Sequence, residues 1–311
     1  MLKFLRDLTV VMTVLFVTVS HARDTVEIVV AVPPGGIQDI SARQLQKSLV
    51  AADPDTNYIV TYKPGAGGAI AYNYGILSSN VNPNVTVISV GGLTEQLKTK
   101  DLAAIEKETT LLGPVWSAPN VLAVSLKSGI TSLDELIKRG TEGRLNCGAS
   151  AASVKLGMDY FKQQTGMKNT EIVMFKGSSE VLPLMISGEL DCWLETYPGL
   201  IENAHKAGQI KLIASSDMTP SPLFPNLPLM KAQVKDQSVH LFSWWMALGI
   251  SNASPPGFKE KMIPVLTKAI KTMEPVGSVQ ITTLDKADKG IFAQQNNSAR
   301  KMTQSLAKPP G

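Results

Sequence analysis

Residues 27–49 constrain the fold most, because they combine an apolar run, a glycine turn and an amphipathic segment. The run at 28–32 is short and mostly β-branched, which is typical of a buried strand. Pro33-Pro34-Gly35-Gly36 interrupts it, and apolar or small residues then recur every four positions from Ile37 to Leu49. The pattern predicts a strand, a turn and a helix. The helix start would offer free N–H groups and a dipole that favours an anion, and Asp39 could cap it.

Two further glycine turns follow strand-like runs nearby. Gly65, Ala66, Gly67 and Gly68 come after the run at 58–62, and Gly92 lies in the turn after the run at 85–90. A single glycine turn is usually plain connection chemistry. Several such turns at the carboxyl edge of one parallel sheet would instead line an anion pocket with main chain. We therefore predict an α/β fold with its ligand chemistry at that edge.

The strand–helix rhythm restarts in the second third of the chain. Ser132, with Glu135 three residues on, predicts a capped helix, and strands are predicted near 145–148, 171–175, 191–195 and 210–214. Residues 111–118 read as irregular, and four prolines make 219–228 an extended loop. We expect two α/β lobes, residues 23–122 plus 240–311 and residues 123–239, with a ligand cleft between them.

Residues 1–22 have the pattern of a cleavable signal peptide. Lys3 and Arg6 precede an apolar block of about a dozen residues, shorter than the ~20 that span a bilayer, and Ser20-His21-Ala22 offers a cleavage site. An uncleaved anchor is the alternative. We expect an exported, periplasmic protein.

The two cysteines, Cys147 and Cys192, each lie in a predicted strand. An oxidising compartment would allow them to pair, but bridges between adjacent strands are often strained. We favour two buried, small apolar side chains over a disulfide.

Catalytic and cofactor motifs are missing from the sequence. It contains no HExxH, CxxC, GxSxG, GxGxxG or Walker pattern, and His205 reads as part of a solvated helix face. The net charge of +4 is mild and scattered, which gives no case for nucleic acid. With 44% apolar and 18% charged residues, a proper core is expected. We expect a monomeric binding protein without cofactor or metal rather than an enzyme.

Several of these stretches, in their order and spacing, resemble the substrate-binding proteins of tripartite tricarboxylate transporters, also called the Bug family. The first is the Pro, Gly-Gly, Asp and Arg pattern of residues 32–43, and the second is the Pro-Gly-Ala-Gly-Gly loop that ends at Gly68. Weaker matches follow at residues 173–177, 188–191, 207–211, 245 and 255–257. The resemblance implies a two-lobed, type II-like periplasmic binding fold of the Venus flytrap kind that closes on its ligand.

The resemblance also implies a function and a site. The protein would capture a small mono-, di- or tricarboxylate and deliver it to integral-membrane transporter subunits; the alternative is a sensor subunit for a membrane receptor or histidine kinase. First-lobe turns would hold a carboxylate through backbone and water, and second-lobe turns would contact the rest of the ligand. The implied binding residues are Pro34, Gly35, Gly36, Asp39, Gly65, Ala66, Gly67, Gly68, Gly92, Ser150, Ser153, Phe175, Lys176, Gly177 and Glu195.

Two charged residues of this set keep open alternatives. Lys176, like nearby Lys155, could bind a second carboxylate or be solvated, and Glu195 could bind an amine or hydroxyl or be a surface acid.

Overall fold

The structure is a computed structural model that describes residues 24–34, 37–77, 84–89, 96, 101–197 and 199–307, with backbone alone for 84–89. The predicted signal peptide and the predicted site residues Gly35, Gly36 and Gly92 lie outside the described residues. The strands are β1 Thr25–Val30, β2 Asn57–Tyr62, β3 Asn84–Ser89, β4 Thr109–Ala118, β5 Asn120–Ser125, β6 Leu145–Ala149, β7 Thr170–Met174, β8 Cys192–Thr196, β9 Ile210–Ser215, β10 Trp244–Ser251 and β11 Gln280–Ile281. The helices are α1 Ile37–Ala52, α2 Ala69–Tyr72, α3 Leu102–Glu108, α4 Leu133–Glu142, α5 Ala152–Thr165, α6 Ser178–Ser187, α7 Leu200–Lys206, α8 Phe258–Lys271 and α9 Gly290–Leu306.

The first sheet has six strands in the order β11-β4-β10-β3-β1-β2. β1 pairs in parallel with both β2 and β3, so the segments that leave these three strands emerge at one edge. β10 is antiparallel to β3 and β4. The described segments 31–34 and 63–68 follow β1 and β2, and this topology brings them to the same edge of the sheet.

The second sheet has five strands in the order β7-β6-β8-β5-β9. β6 lies parallel to β7 and β8, and β5 is antiparallel to β8 and β9. The segments after β6, β7 and β8 therefore share one edge. Helix α4 between β5 and β6 begins as predicted, because the Ser132 hydroxyl accepts from the Glu135 N–H at 3.2 Å.

The two cysteines form a disulfide, contrary to the expectation of two free buried thiols. Cys147 and Cys192 face each other in the register of parallel strands β6 and β8, with 4.5 Å between their Cα atoms. Both are fully buried. The sequence did not reveal that β6 and β8 are neighbours, because 45 residues separate the two cysteines.

The segment 111–118 was wrongly read as irregular. It belongs to β4, a ten-residue strand that pairs with β10 along its whole length. Gly113 and Pro114 suggested a break, but they lie at two register shifts in this pairing, where a missing N–H or side chain is tolerated. The strand is mostly buried because β10 and β11 flank it.

The chain passes between the sheets twice. The first passage is at Pro119, between β4 and β5, three residues before the predicted limit at 122. The second runs from β9 to β10 and includes Ser216, whose hydroxyl donates to the Phe242 carbonyl at 2.8 Å.

Helix α9 contacts both halves of the molecule. Phe292 packs edge-on against Trp245 of β10, while Gln163 of α5 donates to the Ser305 carbonyl at 3.0 Å. The assignment of residues 240–311 to the first lobe alone therefore stays a prediction. Among the described residues, none of the helices has both the length and the apolar content needed to cross a bilayer.

A cleft between the two sheets as candidate binding site

A cavity of about 810 Å³ opens between the two sheets. Its border on the first sheet includes Pro34, Ile37, Gln38, Ile40, Gly65 and Gly68. Its border on the second sheet includes Ser150, Ser153, Met174, Lys176, Gly177, Ser178, Glu195, Thr196 and Leu200. The cavity thus lies at the carboxyl ends of the parallel strands of both sheets, the usual ligand position in open α/β sheets. A depression of about 380 Å³ is lined by α9 and Ser238 and not by strand ends, and we do not regard it as the site.

The first-sheet wall consists of turns with little side-chain material. Gly65 (φ 121°) and Gly68 (φ 98°) have backbone conformations that favour glycine, and a Cβ on Gly65 would lie 2.8 Å from the Ile70 Cδ1 atom. Gln38, in the first turn of α1, is buried, and its Oε1 atom has no hydrogen-bond partner. This wall offers main chain and one side-chain amide to a ligand.

Asp39 lies behind this wall rather than on the cavity. Its carboxylate is buried and accepts from the Arg43 Nε–H at 2.8 Å and from the Tyr62 hydroxyl at 2.5 Å. Burial raises the pKa of Tyr62, and the hydrogen bond to Asp39 raises it further. Asp39 therefore joins α1 to the end of β2.

The second-sheet wall carries a side-chain cluster centred on Glu195 at the end of β8. The Glu195 Oε2 atom accepts from the hydroxyls of Ser150 and Ser178, both at 2.6 Å. The Oε1 atom accepts from the Thr196 backbone N–H at 2.8 Å. Ser150 follows β6 and Ser178 begins α6 after β7, so the three parallel strands of this sheet each contribute one member.

Two uncapped helix starts adjoin this cluster. Helix α5 begins after Ala151 and α6 after Gly177, and neither preceding residue supplies a side-chain cap. Ser153, in the first turn of α5, is 5% exposed, and its Oγ atom has no partner. A buried hydroxyl left unpaired is costly, so this one is available for a ligand group.

The side chains at the end of β7 lie alternately at the cavity and in the protein interior. Met174 borders the cavity, whereas Phe175 packs against a second hydrophobic cluster that includes Trp193 and Ile201. Lys176 borders the cavity and is exposed. Lys155 pairs with Asp159 at 2.6 Å and does not border the cavity.

The predicted site residues therefore fall into three groups. Those that border the cavity are Pro34, Gly65, Gly68, Ser150, Ser153, Lys176, Gly177 and Glu195. Those placed elsewhere are Asp39 and Phe175, as given above, and Ala66 and Gly67, which form the short helical turn between the two bordering glycines. Gly35, Gly36 and Gly92 lie outside the described residues.

Prediction missed several residues of the cavity border. Gln38, Thr196, Phe242 and Trp244 border it, and the two aromatic side chains are buried. The sequence carried a signal for Gln38, which is the second residue after the predicted glycine turn. It carried no signal for Phe242 and Trp244, because their position at the cavity depends on how the second passage returns the chain to the first sheet. Within the described part of the chain, no group of His, Cys, Asp or Glu side chains could hold a metal ion.

Two α/β sheets joined by two chain passages, with a cavity at the facing strand ends, define a two-lobed solute-binding protein. The sequence model of the tripartite tricarboxylate transporter family receptor, TctC, matches residues 41–308. The chain belongs to this family.

Known relatives agree with the assignment. Protein BugT of Bordetella pertussis is 26% identical over 259 residues, which are 79% of this chain and 74% of BugT. Among solved structures, Rpa4515 of R. palustris with adipate has a TM-score of 0.72 at 20% identity, covering 92% of this chain and 98% of Rpa4515. MatC from Rhodopseudomonas palustris with bound malate has a TM-score of 0.68 at 15% identity, covering 92% and 99%. These likenesses establish the two-lobed fold that the sequence predicted.

Proposed function

We propose that this protein is a periplasmic receptor that captures a small carboxylate in the cleft between its sheets and presents it to the membrane subunits of a tripartite tricarboxylate transporter. The ligand is released unchanged. The family to which the chain belongs is a family of transporter receptors, which supports this role. Two structural relatives carry adipate and malate, both small dicarboxylates, which supports the ligand class.

The observation that carries the proposal is the convergence of backbone-rich turns and free helix starts on one cavity. Gly65 and Gly68 border it from the first sheet, and the uncapped starts of α5 and α6 border it from the second. Backbone N–H groups and helix N-termini bind anions without a cationic side chain. A small acid could thus be held from both sides, with water filling the remaining space.

Ligand-induced stabilisation tests the ligand class directly. The purified protein should melt at higher temperature with some members of a panel of small mono-, di- and tricarboxylates, and the matching amides should have no effect. A ligand at 100 times its Kd stabilises the folded state by about 2.7 kcal/mol. If a folded sample responds to no acid in the panel, the proposed function is wrong.

The partner is tested by capture from membranes. With the ligand-loaded protein as bait, we expect transporter membrane subunits to be retained. Retention of a histidine kinase instead would support the sensor alternative.

The remaining parts of the proposal concern the mature protein. We propose that residues 1–22 are removed on export, that the lobes divide near 119 and 240, and that the mature chain is a monomer. N-terminal sequencing of the exported protein and light scattering of the purified sample test the first and third points.

A further inference from the structure

From the cluster around Glu195, we propose that the ligand is an acid that also carries an ammonium group, and that Glu195 binds this group. The inference rests on the proposed function and specifies its ligand class. It concerns the second-sheet wall of the cleft, where polar side chains border the cavity beside the helix starts.

The hydroxyl protons of Ser150 and Ser178 are already committed. A serine hydroxyl has a single proton, and a carboxylate can only accept, so both serines donate to the Glu195 Oε2 atom at 2.6 Å. What these three side chains still offer to the cavity is therefore a set of oxygen lone pairs. A ligand group that contacts them must be a hydrogen-bond donor.

The charge of Glu195 also has no counterion among the described residues. Among the described residues, no Lys, Arg or His nitrogen lies within ion-pair distance of its carboxylate. Lys176 is the one other charged residue on the described border of the cavity, and it is exposed. A carboxylate that loses water when a ligand fills the cleft becomes costly unless a cation accompanies the ligand. This favours an ammonium group over a neutral hydroxyl.

A separate donor on the same wall remains free for the ligand's own acid group. Ser153 is 95% buried, borders the cavity and has no partner for its Oγ atom. It lies in the first turn of α5, whose backbone dipole favours an anion. The wall thus combines a cluster of acceptors, which fits the ammonium group of an amino acid, with a donor site, which fits its carboxylate.

Pairs of ligands that differ only by the ammonium group test the proposal. Binding of aspartate is compared with that of succinate, and glutamate with glutarate, by calorimetry at neutral pH, with malate as the hydroxyl counterpart. We expect the amino acid of at least one pair to bind ten-fold or more tightly than its deamino partner. In Glu195→Gln, which keeps the shape of the side chain, the ratio of amino acid affinity to deamino acid affinity should fall toward one. The amino acid should bind more weakly than to the wild type, and the deamino acid, which no longer faces an unpaired carboxylate, should bind more tightly.

Glu171→Gln is the matched control. Glu171 lies on β7 of the same sheet, is exposed, and pairs with Arg144 at 3.4 Å, away from the cavity. This variant should keep the wild-type ratio. Ser178→Ala, which removes one of the two hydroxyls that fix Glu195, should lower the ratio by less than Glu195→Gln does. Circular dichroism and melting of the unliganded variants identify any loss of folding.

The outcomes separate this inference from the proposed function. Equal binding within each wild-type pair, tighter binding of malate than of aspartate, or a ratio unchanged in folded Glu195→Gln would overturn the ammonium assignment but leave a carboxylate receptor in place. If no acid of either kind binds, the proposed function itself fails.

Discussion

The two walls of the cleft offer different chemical groups to a ligand. The described first-sheet wall is formed by the segment after β1, the turn with Gly65 and Gly68, and the start of α1. The nearby acidic residue Asp39 accepts hydrogen bonds from Arg43 and Tyr62. The second-sheet wall has an acidic residue, Glu195, at the cavity itself. Both are strand-end walls of α/β sheets, so the difference arises from side chains and not from architecture.

This difference separates general from specific recognition. A backbone wall accepts any carboxylate of suitable size, because every residue type except proline supplies the same N–H group. A side-chain wall can change its chemistry by substitution without change of fold. We therefore expect first-wall variants to affect all ligands alike, and second-wall variants to change the preference among ligands.

The largest effect is expected from removing the disulfide, which supports only the second wall. The bond closes a loop of about 45 residues, for which chain entropy predicts about 4 kcal/mol, and measured losses are typically 2–4 kcal/mol. Replacing both cysteines by alanine should lower the free energy of unfolding in urea by this amount. Reductant should destabilise the wild type to a similar degree and leave the double variant unchanged. A double variant as stable as the wild type would show that packing alone holds β6 against β8.

A matched pair of glycine variants tests the first wall. Gly65→Ala places a Cβ at φ 121° and 2.8 Å from the Ile70 Cδ1 atom. It should therefore lower the free energy of unfolding by about 1–3 kcal/mol and weaken the binding of all acids to the same degree. Gly177→Ala is the comparison: its backbone is extended, and no atom lies within 4 Å of the added Cβ. We expect it to fold with nearly wild-type stability. Thermal melting measures the stability of both variants, and calorimetry with one acid pair measures their affinities. Equal losses of stability and affinity in the two variants would contradict the view that the first wall binds through its backbone.

The smallest effect is expected at the connection between the walls. Asp236 lies in the second passage and pairs with Lys301 of α9 at 2.7 Å; the hydrogen bonds from Lys301 and then Ser238 lower its pKa to about 2. This pKa is below the ordinary value of 3.8, so the pair stabilises the folded state fully at pH values above 3.8. The stabilisation is lost as the pH falls toward 2.

Asp236→Asn measures that contribution. The pair is exposed, so the loss at neutral pH should not exceed about 1 kcal/mol, and the difference from wild type should vanish near pH 2. Neither carboxylate affinity nor ligand preference should change, since Asp236 does not border the cavity. A melting difference that persists at pH 2 would mean that the substitution acts through packing.

Local patterns predicted much of the fold. The apolar runs, glycine turns and four-residue spacings gave β1, α1 and β2 within a few residues, because these features act over one turn or one strand. β4 was missed because its stability comes from β10, more than a hundred residues away, and its Gly113 and Pro114 resemble a break in isolation. The disulfide was missed for the same reason, since the neighbourhood of β6 and β8 is a property of the sheet.

In the candidate site, too, the sequence predicted local features better than features that depend on distant parts of the chain. Strand ends could be predicted, and with them the positions of Gly65, Ser150 and Glu195 on the cavity border, while their role in binding stays a prediction. The direction of a side chain at a strand end could not, as Phe175 shows by entering the core one residue beyond Met174. Asp39 of α1 was expected at the ligand by resemblance, and that role stays a prediction. Its carboxylate accepts from the hydroxyl of Tyr62, at the end of β2, and Asp39 does not border the described cavity.

The register of the disulfide has a practical consequence. Cys147 and Cys192 lie opposite each other, and each is three residues before a member of the acidic cluster, Ser150 and Glu195. Thiols of this kind join only in an oxidising compartment. A recombinant sample produced in a reducing cytoplasm would therefore lack the covalent bond between β6 and β8, although the two strands would still pair through their backbones. Its oxidation state should be established before its ligand profile is compared with that of the exported protein.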